Sequence, residues 1–122
     1  MTKVPNFYAY GSTLKDVKIL DSITSIGFYA FGYCIGLTSV TIGKGVTSIG
    51  RWAFSGCLGL TSVIIPSSVV SIGPEAFSNC RSLTAIDYAG NKEQWDLIEK
   101  RPSWKNNSLI QVIHCIDGDI NL

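Results

Sequence analysis

Apolar residues along this chain follow two short rhythms that share one longer period. In the first, Leu37, Val40 and Ile42 stand in the frame Leu-x-x-Val-x-Ile, which returns as Leu60, Val63, Ile65 and as Leu83, Ile86, Tyr88. Alternation with period two sends these residues to one face and Ser39, Thr41, Ser62 and Ile64 to the other, which predicts a short half-buried strand in each copy. The second rhythm, Ile26-Gly-x-x-Ala-Phe-x-x-Cys, spaces its apolar residues by three and four and predicts a helical or 3₁₀ turn on an opposite wall. Both return every 23 residues: Thr24 to Val46 matches Thr47 to Val69 at 14 of 23 positions, and Val70 to Lys92 keeps 9 of 23 against the second copy.

A repeat of that length cannot bury its apolar face alone, so neighbouring copies must cover one another in a solenoid. Equivalent strands then lie parallel, roughly 4.8 Å apart, and Phe31, Phe54 and Phe77 form a column, as do Cys34, Cys57 and Cys80. A buried Phe removes roughly 150 to 250 Å² from water, so each ring contributes about 4 to 6 kcal/mol as an upper bound. Tyr29, Trp52 and Glu75 vary in register and read as positions a solvent face tolerates.

The two ends of the stack read differently. Val4 to Ser25 is a degenerate first coil: Leu14, Val17 and Ile19 keep the strand frame, Tyr8 stands at the Phe position, Gly11 at the Cys position, and Asn6 to Tyr10 can form an aromatic lid. After Tyr88 the period fails. Asn91 to Lys100 predicts a short amphipathic helix with Asn91 as N-cap, Trp95 and Ile98 inward and Arg101-Pro102 as its stop. Trp104 falls in a polar loop, Leu109 to Ile116 predicts a strand, and Asp117-Gly118 predicts a tight turn into Asp119 to Leu122.

The frame resembles a leucine-rich repeat. Its 23-residue length and the run Ala-Phe-x-x-Cys-x-x-Leu-Thr-Ser-Val closely resemble the BspA-like (Treponema-type) class of those repeats, over about Leu14 to Lys92. Common leucine-rich repeats place Asn or Cys two residues beyond the last apolar strand position; here that site holds Lys44, Ser67 and Gly90, so no Asn ladder serves the turn carbonyls. The segment Gly90 to Leu122, with its Gly-Asn-Lys-Glu-Gln-Trp start, is similar to the piece that closes many such stacks. The resemblance implies an α/β, β-rich leucine-rich-repeat solenoid: one domain over 1–122, with a degenerate coil at 4–25, repeats at 24–46, 47–69 and 70–92, and a helix-strand cap at 90–122. It also implies a part of a surface or secreted bacterial protein with an adhesion-type role.

Composition narrows the chemistry. Ten Lys and Arg against nine Asp and Glu leave a net charge of +1, which gives no electrostatic case for nucleic acid or an anionic membrane. No apolar run reaches the length of a spanning helix, and MTKVPNFYAYGS lacks the apolar segment of a signal peptide. The expectation is a fragment, or a short relative, of an exported protein. The three period-spaced cysteines read as buried reduced thiols acting as small hydrophobes; Cys-x-x-Cys pairs for zinc are absent. His114, the single histidine, belongs to an alternating strand and reads as structural. Gly43 and Gly45 suit coil turns, and Asp117 with Asp119 flank a turn glycine and make a poor Ca²⁺ site. No nucleophile, metalloprotease, phosphate-loop or dinucleotide motif occurs, so the expectation is a protein with no catalytic residues, cofactor or metal.

What remains is surface. The outward strand positions form two columns, Asp16, Ser39, Ser62, Ala85 and Lys18, Thr41, Ile64, Asp87, flanked by Thr38, Thr61 and Thr84. Ser and Thr suit an exposed strand for packing reasons alone. The same flat, hydroxyl-rich face nonetheless offers a continuous platform for a protein partner on a host or cell surface. A structural spacer without a ligand is the alternative, with carbohydrate binding behind it.

Overall fold

The computed structural model describes residues 3–4, as backbone, and 13–122. Its strands form two parallel stacks that face each other across one apolar column. The longer stack carries β2 (Asp16–Lys18), β4 (Ser39–Thr41), β6 (Ser62–Ile65) and β8 (Ala85–Tyr88), then β10 (Val112–Cys115) and an antiparallel β11 (Gly118–Asn121). The shorter stack carries β1 (Lys3–Val4), β3 (Ser25–Ile26), β5 (Ser48–Ile49), β7 (Ser71–Ile72) and β9 (Glu99–Lys100). Asp16 pairs with Ser39 and Ser39 with Ser62, so the 23-residue sequence period is also the sheet register. The expected first-coil strand is β2; Tyr8, Gly11 and the Asn6–Tyr10 lid lie outside the described residues.

The columns form as the repeat requires. Phe31 and Phe54 rings lie 5.3 Å apart at 4°, and Phe54 and Phe77 5.1 Å apart at 8°. Ile26, Ile49 and Ile72 are buried behind the short stack, and Leu37, Leu60, Leu83 with Val40, Val63, Ile86 behind the long one. At the coil turn, Gly43 is required by close approach: a Cβ there would overlap the carbonyl oxygens of Ile19 and Leu20.

The opposite wall keeps the three-residue turn bonds of the expected helical or 3₁₀ turn but forms no continuous helix. Along residues 29–34 successive N–H groups bond alternately to the next coil and to the residue three positions back. Tyr29, Phe31 and Tyr33 donate to Arg51, Ala53 and Ser55, whereas Ala30, Gly32 and Cys34 donate to Gly27, Tyr29 and Phe31. The next coil repeats this, with Trp52, Phe54 and Gly56 donating to Pro74, Ala76 and Ser78. The alternation needs left-handed backbone twice per coil, at Tyr29 and Tyr33, Trp52 and Gly56, Glu75 and Asn79. A side chain other than Gly costs roughly 1 kcal/mol there. Tyr29, Trp52 and Glu75 are therefore conformationally demanding positions as well as outward-facing ones.

The cysteines also do more than fill space. None is disulfide-bonded, and Cys57 Sγ donates to the Phe31 carbonyl and Cys80 Sγ to that of Phe54, each at 3.1 Å. Thr38 and Thr61 hydroxyls donate to the carbonyls of Lys15 and Thr38 in the preceding coil. Thiol and hydroxyl ladders thus serve carbonyls that no Asn ladder reaches. Burial pushes the Cys80 thiol up to about 12, and raises Cys57 further and Cys34 as well, so these thiols hold their protons and are poor nucleophiles.

The closing segment departs from expectation in its extents. Helix α1 (Lys92–Leu97) begins at the expected N-cap: Asn91 accepts from the Gln94 N–H and Gln94 returns a bond to the Asn91 N–H, both at 2.8 Å. It ends earlier than Lys100, because Glu99 and Lys100 extend the short stack as β9, paired with Ser71 and Ile72. Lys100 Nζ donates to the Trp95 and Ile98 carbonyls at 2.9 Å each, covering the helix C-terminus. Leu97 faces solvent, and the strand expected from Leu109 shortens to β10. Trp104 lies in a turn as expected, but it is buried, edge-on to Phe77 at 6.2 Å and to Trp95 at 5.8 Å, and caps the Phe column.

Candidate protein-binding face

Parallel register with a 23-residue offset leaves one choice for the outward positions of the long stack, and they are the ones the alternation selects. One column runs Lys18, Thr41, Ile64, Asp87, then His114 and Asp119, each paired with the next. The other begins Asp16, Ser39, Ser62 and continues through Ala85, which pairs with Val112. Thr38, Thr61 and Thr84 are exposed along the entering edge. Eight of the ten sequence-selected residues, Asp16, Lys18, Ser39, Thr41, Ser62, Ile64, Ala85 and Asp87, therefore fall on one side of one sheet, and Thr38 and Thr61 stand exposed just before β4 and β6.

Several of the hydroxyls already have internal work. Ser39 Oγ donates to the Asp16 carboxylate, and Thr38 Oγ1 reaches that carboxylate at 3.4 Å as well as the Lys15 carbonyl at 3.1 Å. The polar groups of the first coils are thereby fixed in orientation. Thr41 and Ser62 are half-buried, whereas Ile64 is 38% exposed and is the one large apolar side chain in its column. The column changes character along the stack, from Lys18 through apolar Ile64 to the acidic end at Asp87 and Asp119.

The acidic end includes a residue that sequence reasoning left outside the face. His114 Nδ1 lies 2.7 Å from Asp119 Oδ1, and both side chains are about half exposed. The hydrogen bond to Asp119 raises the His114 pKa above its ordinary value; loss of solvation opposes the rise, and the negative charges of Asp119 and Asp87 add to it. The signal was present in the frame of Leu109 to Ile116 and the Asp117-Gly118 turn. Its register with β8 depends on how many residues α1 takes up, which the period does not state.

A groove of about 380 Å³ borders the face where the strands end, lined among others by Lys18, Leu20, Lys44, Ile64 and Pro66. Its floor is apolar and its rim carries two ammonium groups, with Asp21 held by the Lys44 backbone N–H at 2.9 Å. The arrangement can take apolar and hydrogen-bonding groups from another chain laid across the strands.

Coils of 23 residues with an Ala-Phe-x-x-Cys turn wall also decide kinship. Residues 2–100 match the family model described as BspA type Leucine rich repeat region (6 copies). The chain belongs to the BspA-type leucine-rich repeat family. Among solved structures it is similar to a leucine rich cell surface protein from Faecalibacterium prausnitzii A2-165, at 35% sequence identity and a TM-score of 0.62. That likeness covers 81% of this chain and 32% of the other, so the chain spans under half of that protein's length. Comparison with curated proteins gives no match. In this BspA-type chain the match reaches Lys100, beyond the last exact repeat, which fits β9 continuing the short stack.

Proposed function

We propose that this chain is a non-catalytic protein-binding module of a bacterial surface or secreted protein, and that the long-stack face carries an adhesion-type contact. The observation that supports it most is the continuity of that face: outward residues of β2, β4, β6, β8 and β10 lie in register across neighbouring strands. Repeat proteins use such unbroken faces to engage partners. The similar protein from F. prausnitzii is described as a cell surface protein, which agrees with a surface location here. The internal bonds of Ser39 and Thr38 favour a second reading, a spacer whose hydroxyls serve the stack alone.

Binding of the full chain to immobilised extracellular-matrix proteins, compared with a variant carrying Ser39→Arg, Ser62→Arg and Ile64→Arg, separates the two. The face reading expects saturable binding that the triple variant loses by about a hundredfold or more, since three bulky cations would obstruct the platform. Retention of full binding by that variant would discard the face, and no binding to any surface protein would leave the spacer reading standing.

A further inference from the structure

The turn wall carries a run of aromatic and aliphatic side chains that link successive coils and stand apart from the sheet face. Trp52 packs 4.9 Å from Tyr29 and 5.5 Å from Phe28, Arg51 lies 4.7 Å over its ring, and its indole N–H donates to the Glu75 carboxylate. Tyr29 in turn stacks on Tyr33 at 6.0 Å. Phe28 is 56% exposed, Ile35 53% and Leu58 48%, and a shallow groove of about 280 Å³ runs from Tyr33 past Leu58 to Arg81.

Three of these rings, Tyr29, Tyr33 and Trp52, stand where the backbone is left-handed. Gly56 and Asn79 show what such positions accept easily, yet Tyr29 and Trp52 occupy theirs with large aromatic side chains. Strained positions are kept where the outward group has a task. Trp, Tyr and Arg are also the residues on which protein interfaces concentrate their binding energy, and rings locked by their neighbours lose little freedom on association.

The charge on this wall is net positive. Across residues 28–35, 51–58 and 74–81 the groups charged at neutral pH are Arg51, Glu75 and Arg81, and the one carboxylate, Glu75, accepts from the Trp52 indole. Both guanidinium-bearing residues are exposed, Arg51 over the Trp52 ring, so each can meet a partner's carboxylate. Ile35 and Leu58 present aliphatic branches without a flat ring, which favours apolar side chains over the face of a sugar. We infer that the turn wall from Phe28 to Arg81 is a second interaction surface, and that it receives a protein segment bearing apolar side chains beside carboxylates.

The ¹⁵N-labelled full chain, titrated with a short synthetic peptide alternating leucine and glutamate, tests this. Saturable shifts are expected at the Trp52 indole N–H and the backbone N–H groups of Phe28, Leu58 and Arg81, with none at Ser39, Ser62 or Ile64. Arg51→Glu and Leu58→Ser, both at exposed positions, should each weaken binding by about tenfold or more while melting as the parent does. Should Arg51→Glu fail to fold, Arg81→Glu reverses the charge within the groove itself. Equal binding of a leucine–lysine peptide, shifts confined to the sheet face, an absence of saturation, or the same shifts produced by a neutral oligosaccharide would each overturn the inference.

Discussion

The coils built on residues 24–92 put like side chains in like columns, whereas the closing coil keeps their hydrogen bonds and changes what they carry. Phe54 N–H donates to the Ala76 carbonyl, and one coil on, Phe77 N–H donates to that of Trp104. The backbone position is the same; alanine has become tryptophan. In the Ile26, Ile49, Ile72 column the next member is Lys100, which turns to the helix carbonyls instead of a further apolar neighbour. Glu99 follows its partner Ser71 by 28 residues where Ser71 follows Ser48 by 23, and α1 takes up the difference. A column of identical residues has no natural end, because each member exposes what the next must cover. The chain ends its columns by substituting residues too large or too polar to be stacked upon.

The largest effect should come from a charge inside a repeated column. Phe54→Asp places a carboxyl between two rings with no partner, and should cost on the order of 5 kcal/mol or more, removing the cooperative thermal transition. A melting curve like the parent's would show that Phe54 does not hold the column together. A smaller, local effect is expected at the lid. Trp104→Ala should cost about 3 to 5 kcal/mol and speed hydrogen exchange at the Phe77 and Asn79 amides, which bond to the closing coil, more than at Phe31. Uniform acceleration along the stack would mean that the lid and the repeats are one unit.

The smallest effect concerns His114 and Asp119 at the far edge. The raised His114 pKa makes the folded state hold its proton more tightly than the unfolded chain. Its contribution is therefore complete below the ordinary value near 6.5 and is lost as pH rises through the raised one. A slightly lower melting temperature at mildly alkaline pH than at mildly acidic pH is expected, and Asp119→Asn should flatten that dependence. An unchanged pH profile in Asp119→Asn would remove the pair from the account.

The columns were legible because residues one period apart touch each other, so the sequence repeats what the contacts repeat. Phe31, Phe54 and Phe77, the strand frame and the outward set from Asp16 to Asp87 all follow from that. The turn wall was legible only in part, because inward residues spaced by three and four suit a helix and an alternating turn equally. The difference lies in whether Tyr29 and Phe31 bond within their own coil or to the next, and side-chain spacing carries no trace of it. The burial of Trp104 within its turn was hidden for a related reason: its neighbours Lys105 to Ser108 are polar, and only the ladder from Phe77 reveals the column it enters. The acidic end of the face at His114 and Asp119 lies past the point where counting by 23 works.

The alternation of bonds along the turn wall has a consequence for how such genes change. Each coil lends its carbonyls to the coil before it and draws on those of the coil after it, always at the same positions. An unequal crossover that duplicates or deletes one 23-codon unit therefore returns a chain in which every donor still meets an acceptor. The molecule can grow or shrink in steps of roughly 4.8 Å without redesign of its terminus, and a ligand spanning several coils would experience such an event as a change in the length of its track.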